Sequence, residues 1–536
     1  MSDLAAAPLT LRSLTERERE QRFDALQQKL RVAWDAMRLN LAGESIVVVP
    51  SVTLDRVVDR RAPVQAYEER FLFLLLLLRQ PRLQLIYVTS MEIDPTVIEY
   101  YLALLPGVIP SHARARLHLV AAHDASPNPL TAKVLERPRL IERIRALIPD
   151  PSLSHLVAYN VTSLERDLAL TLGIPLFGAD PRHLPLGTKS GCRRLFAEED
   201  VPHPIGYEDV DGLDSLLAAV ARLRAKRPRA EEAIVKLNEG VSGKGNAVVD
   251  LRGLPEPGSA GEHAALEGRV RGMAFELADM SFEQYLAKLE ERQGIVEERI
   301  SGVELRSPSV QLRVVPDGTV ELLSTHDQLL GGPSGQSYVG CRFPADFRYA
   351  RAITREAARV GARLSREGVI GRFAVDFVVV RDQADVWSPY AIELNLRKGG
   401  TTHPFLTLQF LTGGVYDQET ALFIAPNGRE KHLVATDHLQ SPLLRGLTHS
   451  DLFDIVARHG LHFDQSRQAG VVFHMMTALS DFGTLGMTAV GDSAREADEL
   501  YRRAERILLE EAGRALAEPT LPAEVRGSQR TRRCTG

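Results

Sequence analysis

Four unbroken apolar runs of strand length stand in the first third of the chain: ESIVVVPS (44–51), LQLIYVTS (83–90), RLHLVAA (116–122) and HLVAYNV (155–161). Helical segments at 63–79 and 95–105 separate them. Ahead of them Phe23, Leu26, Leu30, Trp34, Met37 and Leu41 recur at the spacing of one helix face, which predicts a long amphipathic helix over 10–41. Apolar strands without polar alternation, interleaved with helices, predict a parallel sheet covered on both faces, hence an open α/β domain over residues 1–185. No Gly-x-Gly-x-x-Gly follows any of these strands, so no dinucleotide is assigned to it. The run FLFLLLLL, Phe71 to Leu78, is too short for a bilayer, which needs about 20 residues, and reads as the end of a buried helix.

The prolines and glycines of LGIPLFGADPRHLPLGTKSG (172–191) mark the crossing into a second region, 186–440, where the pattern changes. Here strands dominate and crossover helices are few. AIVKLN and NAVVDL flank a glycine-rich loop, GIVEERISGVELRSPSVQLRVV reads as strand, turn and strand, and a long helix at 348–367 precedes strands at 369–381 and 386–397. That pattern predicts an α+β fold with an antiparallel sheet. Residues 441–516 read as a small C-terminal α+β domain, ending in a helix capped by Ser493 with Glu496 three residues on. The basic stretch at 517–536 has no apolar periodicity and is expected to be disordered.

Composition narrows the function classes. The 536 residues, 44% hydrophobic and 25% charged, fit a soluble globular chain of two to four domains. A formal charge of -5 without a basic stripe gives no footprint for nucleic acid. Cys192, Cys341 and Cys534 are far apart and odd in number, which argues against a disulfide framework and suits a cytoplasmic protein. The N-terminus lacks the basic and apolar regions of a secretory signal.

Candidate chemistry sits where charge interrupts apolar strands. VKLNEGVSGKGN (235–246) looks like a P-loop, but the residue after Lys244 is Gly245 rather than a hydroxyl, and a strand rather than a helix follows. A glycine hairpin can still wrap phosphates, because Gly240, Ser242, Gly243 and Gly245 let the backbone approach closely and present its N–H groups. Lys236 inside AIVKLN, Lys189 at a helix start and Lys244 in the loop are the candidate phosphate cations. Asp376 in RFAVDFVVV, with Glu393 and Asn395 on one face of YAIELNL, forms a set of three oxygen donors suited to Mg²⁺. For either carboxylate alone, pairing with Arg372 or Arg397 is the competing reading.

Taken in order, TKSGCRRLFAEEDVPHP, IVKLNEGVSGKGN, VEERISGVE, AVDF and IELN resemble the ATP-grasp superfamily of carboxylate ligases. STHDQLLGGPSGQSYVGCRFP, ELNLRKGGTTHPF and GVVFHMMTALSDFGTLGMTAVGDSAREADELY further resemble its pheganomycin-type peptide ligases, over roughly residues 40–515. The resemblance implies a Rossmann-like pre-ATP-grasp domain, an ATP-grasp core and a small C-terminal domain. It also implies a hinge at Glu297, Glu298, Arg299 and Ile300 that reads adenine, and ribose contacts from Glu304. The implied reaction uses ATP and Mg²⁺ to convert a carboxylate to an acyl phosphate, which an amine then attacks to give an amide. Arg397 and Arg372 are the expected catalytic groups toward the carboxylate or acyl phosphate. His326, Asp327, Gln328, Lys398, Gly399, Gly400, Thr401 and His403 are expected to line the substrate pocket. The implied partners are a small carboxylate, an amino acid or derivative, and an amine, with a homodimer left open and no nucleic acid or membrane. Transfer of the acyl phosphate to another nucleophile, or nucleotide binding without turnover, stand as alternatives.

Overall fold

The structure, a computed structural model, describes residues 11–39, 43–53, 64–240, 243, 245–277, 279–332, 335 and 337–517. Ser242, Lys244, Cys534 and the expected disordered tail beyond 517 lie outside the described residues.

Strand Ser45–Val49 runs parallel to Gln84–Thr89 and Ser154–Ala158, and Leu117–Ala121 completes the four-stranded parallel sheet on the far side of Gln84–Thr89. Its missing alternation has a direct cause. Ile46 and Val48 enter one core with Phe71 to Leu76, whereas Val47 and Val49 enter another with Phe23, Leu26 and Leu168 of the helices Glu16–Leu39 and Ser163–Leu172. Each such residue contributes about 1.5–3 kcal/mol on burial, so a polar residue on either face would weaken the sheet.

The apolar run after residue 70 departs from the expected helix. The α-helix Val64–Glu69 stops, and Leu72–Arg79 winds as a 3-10 helix. Polar side chains at the junction are tied to other elements: Ser90 donates to Glu68 through its N–H (2.7 Å) and Oγ (2.6 Å), and Arg70 reaches Asp437 at 2.6 Å. The run that follows is buried between the parallel sheet and the helix Thr402–Thr412.

Among the described residues the second region contains two large antiparallel sheets and a two-stranded one, Val415–Asp417 with Leu422–Ile424. The first has the order Gly206–Val210, Gly294–Glu298, Glu232–Leu237, Asn246–Asp250, Ala274–Phe275. The second has nine strands, among them Glu304–Arg306, Pro308–Val314, Val320–Gly331, Ser337–Phe343, Gly371–Arg381 and Trp387–Asn395. Helix Phe347–Arg366 covers this sheet closely, because a Cβ on Gly361 would lie 2.7 Å from Val320. The C-terminal segment continues the same sheet: His432–Gln440 pairs with Thr484–Gly491, which pairs with Gly470–His474. One apolar core runs from Ile46 to Ala512, so hydrogen bonding and packing are continuous across residue 440.

Candidate active site

A cleft opens between the two large antiparallel sheets, with Lys189, Lys236, Glu297, Gln328, Asp376 and Glu393 on its walls. Cross-strand register explains the acidic wall. Asp376 on Gly371–Arg381 stands opposite Glu393 on Trp387–Asn395, and Asn395 follows on the same face, opposite Ala374. Gln328 Nε2 donates to Asp376 Oδ1 (2.9 Å) and Asn395 Nδ2 to Asp376 Oδ2 (3.0 Å). Burial and the neighbouring Glu393 push the Asp376 carboxyl above its ordinary range. Burial also works against the Glu393 carboxylate, but Lys189, at 2.6 Å, with Arg397 and Lys236 behind it, holds it below the usual range.

These donors fit a hard divalent cation: two carboxylates on adjacent strands, acceptor-only when ionised, crowd each other with no arginine among the described residues bound to either. The competing pairing with Arg372 or Arg397 is absent among the described residues. As a ligand, Asn395 would offer Oδ1 in place of the Nδ2 it gives Asp376 here.

The basic wall is built by two lysines that are themselves buried. Thr188 caps the helix Lys189–Glu198 by accepting from Gly191 N–H (3.0 Å), and Asn238 Oδ1 accepts from Ser190 N–H (2.9 Å), which fixes Lys189 at the helix start. Lys236 sits in the strand next to Gly294–Glu298, and its Nζ lies 2.5 Å from Glu297 Oε1, while Arg193 holds Glu297 Oε2 at 3.1 Å. Arg193 and Asn238 brace the two lysines, and sequence reasoning misses both. Each is a polar residue in an ordinary helix or loop context, and only tertiary packing reveals its partner.

The glycine hairpin joins Glu232–Leu237 to Asn246–Asp250 as expected. Gly240 and Gly243 face the cleft. Gly243 has a positive φ of 76°, which favours glycine. Gly245 turns inward instead, where its carbonyl accepts from Tyr285 Oη (2.9 Å) and anchors the hairpin base.

Glu297, Glu298, Arg299 and Ile300 all line the cleft, beside apolar Ile234, Leu305 and Leu330. Glu298 accepts from Ile205 N–H (2.9 Å) and Arg227 Nε (3.0 Å), so its side chain braces the segment from behind. Glu304 differs from expectation: its carboxylate is taken by Arg381 (3.0 Å) and Arg306 (2.5 Å) on the edge strand.

The expected substrate residues separate into three groups. Gln328 reaches the acidic wall, but Asp327 points to the opposite face, because adjacent strand residues alternate. There it accepts from Tyr349 Oη (2.7 Å) and Asp346 N–H (3.0 Å). His326 is wholly buried, with its pKa pushed down to about 3 by burial. It contacts Gln311 Nε2 at 3.1 Å; Thr402 Oγ1 donates to Gln311 Oε1 (3.0 Å) and accepts from Gly399 N–H (2.9 Å). His326 thus supports the loop at 398–401 from beneath. Within that loop Gly400 packs on the Tyr338 ring, where a Cβ would lie 2.5 Å away, and Thr401 is buried at the start of the next helix. His403 turns away from the cleft toward His474 and Asp437.

Arg372, Arg397 and Lys398 bring positive charge to the seam with the parallel-sheet region. Among the described residues none of them pairs with a carboxylate. Arg397 Nη1 lies 3.5 Å from Tyr159 Oη, Lys398 Nζ donates to Ala158 O (2.5 Å), and the buried Arg372 Nη1 has no hydrogen-bond partner. Burial, reinforced by Arg313, lowers Arg372 to about 9; burial and Arg372 lower Lys398 to about 7.

Comparison with known proteins bears on the fold that carries this cleft. The family described as IQCH-like, ATP-grasp matches residues 183–268 and 264–419, and the PGM1 C-terminal domain matches 451–504. The chain is 29% identical over 463 residues to an L-propargylglycine–L-glutamate ligase of Streptantibioticus cattleyicolor, covering 85% of this chain and 92% of that protein. It is 25% identical over 535 residues to IQ motif-containing protein H of Danio rerio, covering 89% of this chain but only 49% of that longer protein. Two solved structures share the fold at low identity. An N5-carboxyaminoimidazole ribonucleotide synthetase in its ADP complex has a TM-score of 0.51 at 11% identity, covering 88% of this chain and 98% of that one. Campylobacter jejuni biotin carboxylase has a TM-score of 0.52 at 12%, covering 88% and 95%. With the cleft between two large antiparallel sheets and these matches together, the chain carries an ATP-grasp fold and is similar to the ATP-grasp carboxylate-amine ligases, the pheganomycin-type peptide ligases among them.

Proposed function

We propose that this protein joins the carboxylate of an amino acid or amino-acid derivative to the amine of an amino acid or peptide, using ATP and Mg²⁺. The observation that carries the reading is the ordering of charge along the site. Buried lysines face two paired carboxylates, and beyond them stand three cations without a carboxylate partner among the described residues. That is the arrangement needed to hold a triphosphate at one end and an anionic acceptor at the other.

In this reading ATP lies in the cleft, with its base in the apolar slot beside 298–300 and its phosphates between Lys189, Lys236, Gly240 and Gly243. Asp376, Glu393 and Asn395 would hold Mg²⁺, which when bound would supply charge neutralisation for the transferring phosphoryl group. Arg372, Arg397 and Lys398 receive the substrate carboxylate; a guanidinium takes a carboxylate or phosphate through two N–H groups at once. A carboxylate oxygen attacks the γ-phosphorus and ADP leaves; the amine then attacks the acyl carbon and phosphate leaves. The chain's own part is positioning and charge stabilisation, which carry most of the catalysis in phosphoryl transfer. Glu304, engaged by two arginines, contacts ribose only if Arg306 releases it.

The test is ADP release over a panel of acids and amines, beginning with L-glutamate and small apolar amino acids, with hydroxylamine as a trap for the acyl phosphate. A hydroxamate that forms with the acid alone, and an amide when an amine is added, support the ligase. ATP binding with no hydroxamate from any acid refutes it.

A further inference from the structure

Away from the ATP cleft, three potential metal ligands from distant parts of the chain meet in the core. His403 is the second residue of helix Thr402–Thr412, Asp437 lies on strand His432–Gln440, and His474 ends strand Gly470–His474. All three are at most 5% exposed. His474 Nε2 lies 2.8 Å from Asp437 Oδ1, His403 Nε2 lies 3.0 Å from the same oxygen, and the two Nε2 atoms are 3.0 Å apart.

This triangle is built, and two neighbours show how. Strand Thr484–Gly491 runs between the strands that carry Asp437 and His474, with Gly486 opposite His474. A Cβ at Gly486 would lie 2.2 Å from His474 Cδ2 and Nε2, so the glycine is what lets the imidazole cross the intervening strand to reach Asp437. On the other side Arg70 Nη1 holds Asp437 Oδ2 at 2.6 Å, which turns Oδ1 toward both imidazoles. A carboxylate oriented by a hydrogen-bonding partner behind it is a regular feature of metal sites.

Hydrogen bonding alone does not fully use this geometry. With one proton between the two imidazole nitrogens, the one that accepts also turns its lone pair toward Asp437 Oδ1, and with two protons or none the nitrogens repel each other at 3.0 Å, so the three contacts cannot all be hydrogen bonds at once. Three donor atoms about 3 Å apart instead leave a point about 2 Å from each, the distance at which zinc takes imidazole nitrogen and carboxylate oxygen.

We propose that His403, Asp437 and His474 bind a divalent transition-metal ion, zinc first on the basis of the two-imidazole, one-carboxylate set, independently of ATP and of the Mg²⁺ donors Asp376 and Glu393. The ion ties the helix that follows the 398–401 loop to the C-terminal strands.

The test is elemental analysis of the full-length protein, purified without a metal-affinity step, together with zinc re-uptake by chelator-stripped protein against a chromophoric competitor. About one zinc per chain, absent from Asp437→Asn and His474→Ala but retained by Glu393→Gln, is the expected result. Cobalt substitution adds a readout independent of turnover, visible absorption bands that the Asp437→Asn variant lacks. Wild-type protein that carries no zinc and takes up neither zinc nor cobalt overturns the proposal whatever the variants do. Loss of zinc in Glu393→Gln with retention in Asp437→Asn also overturns it, because the metal would then belong to the ATP cleft.

Discussion

Lys236 and Glu297 meet inside the wall of the cleft, Nζ to Oε1 at 2.5 Å, on neighbouring antiparallel strands and almost wholly out of water. Such a pair is costly to desolvate and is better explained by positioning than by stability. Glu297, shared with Arg193, holds the ammonium in place, which under the proposed function fixes it before ATP arrives. In Lys236→Met the KM for ATP rises by roughly ten-fold or more, since a charge-assisted phosphate contact is lost. Removing the lysine leaves Glu297 with Arg193 alone, so the fold loses about 1–3 kcal/mol, less than for a fully orphaned charge. The double variant Lys236→Met/Glu297→Gln recovers part of that loss without recovering ATP affinity. Denaturant melts beside ATP titrations separate the two effects; equal ATP affinity in wild type and Lys236→Met would remove the lysine from the phosphate site.

Asp376 and Glu393 are legible in the sequence, because a carboxylate inside an alternating apolar strand is conspicuous and the side-chain period of two puts Glu393 and Asn395 on one face. The same rule separates Asp327 from His326 and Gln328. Grouping the three by motif rather than by strand face assigns Asp327 to a pocket from which it points away. Continuity of the sheet across residue 440 is not legible, since it rests on pairing of His432–Gln440 with Thr484–Gly491, which lie far apart in sequence, and nothing local in either names the other as its partner. His403 is the same case: its partners, Asp437 and His474, are supplied by that long-range pairing.

For the proposed Mg²⁺ donors the expected outcome is loss of turnover with the fold intact. Glu393→Gln removes a charge from the pair that faces Lys189, and ADP release falls by roughly 100-fold or more, as for other losses of transition-state electrostatics. Asp376→Asn acts in the same direction. Circular dichroism and the melting midpoint check the fold, and a magnesium titration of the residual activity shows a shifted midpoint. ADP release at the wild-type rate in both variants would mean that the cation is held elsewhere.

Arg372 offers an opposition of stability and activity in one residue. Its Nη1 is buried without a hydrogen-bond partner and Arg313 lies near, so without an anion its charge is offset only in part, by Glu321. Arg372→Met is therefore expected to raise the stability of the ligand-free protein by about 1 kcal/mol or more while it raises the KM for the acid. Thermal melts and acid-dependent hydroxamate formation measure the two arms. A destabilised variant with an unchanged KM would make Arg372 a packing residue.

Glu44, just ahead of the first parallel strand, gives a pH test far from the site. It is 5% exposed, its Oε2 has no partner, and burial alone raises its carboxyl to about 7 from an ordinary 4.5. The folded state therefore binds this proton more tightly than the unfolded state. The stability it contributes is fully present below pH 4.5 and is lost as the pH rises through about 7. Glu44→Gln cannot titrate, so it should match the wild type near pH 5 and exceed it at pH 8 by on the order of 2 kcal/mol. Urea unfolding of both proteins at the two pH values isolates this position, because every other titrating group is common to them. A stability difference that stays constant between pH 5 and pH 8 would mean that Glu44 reaches water and keeps its charge at little cost.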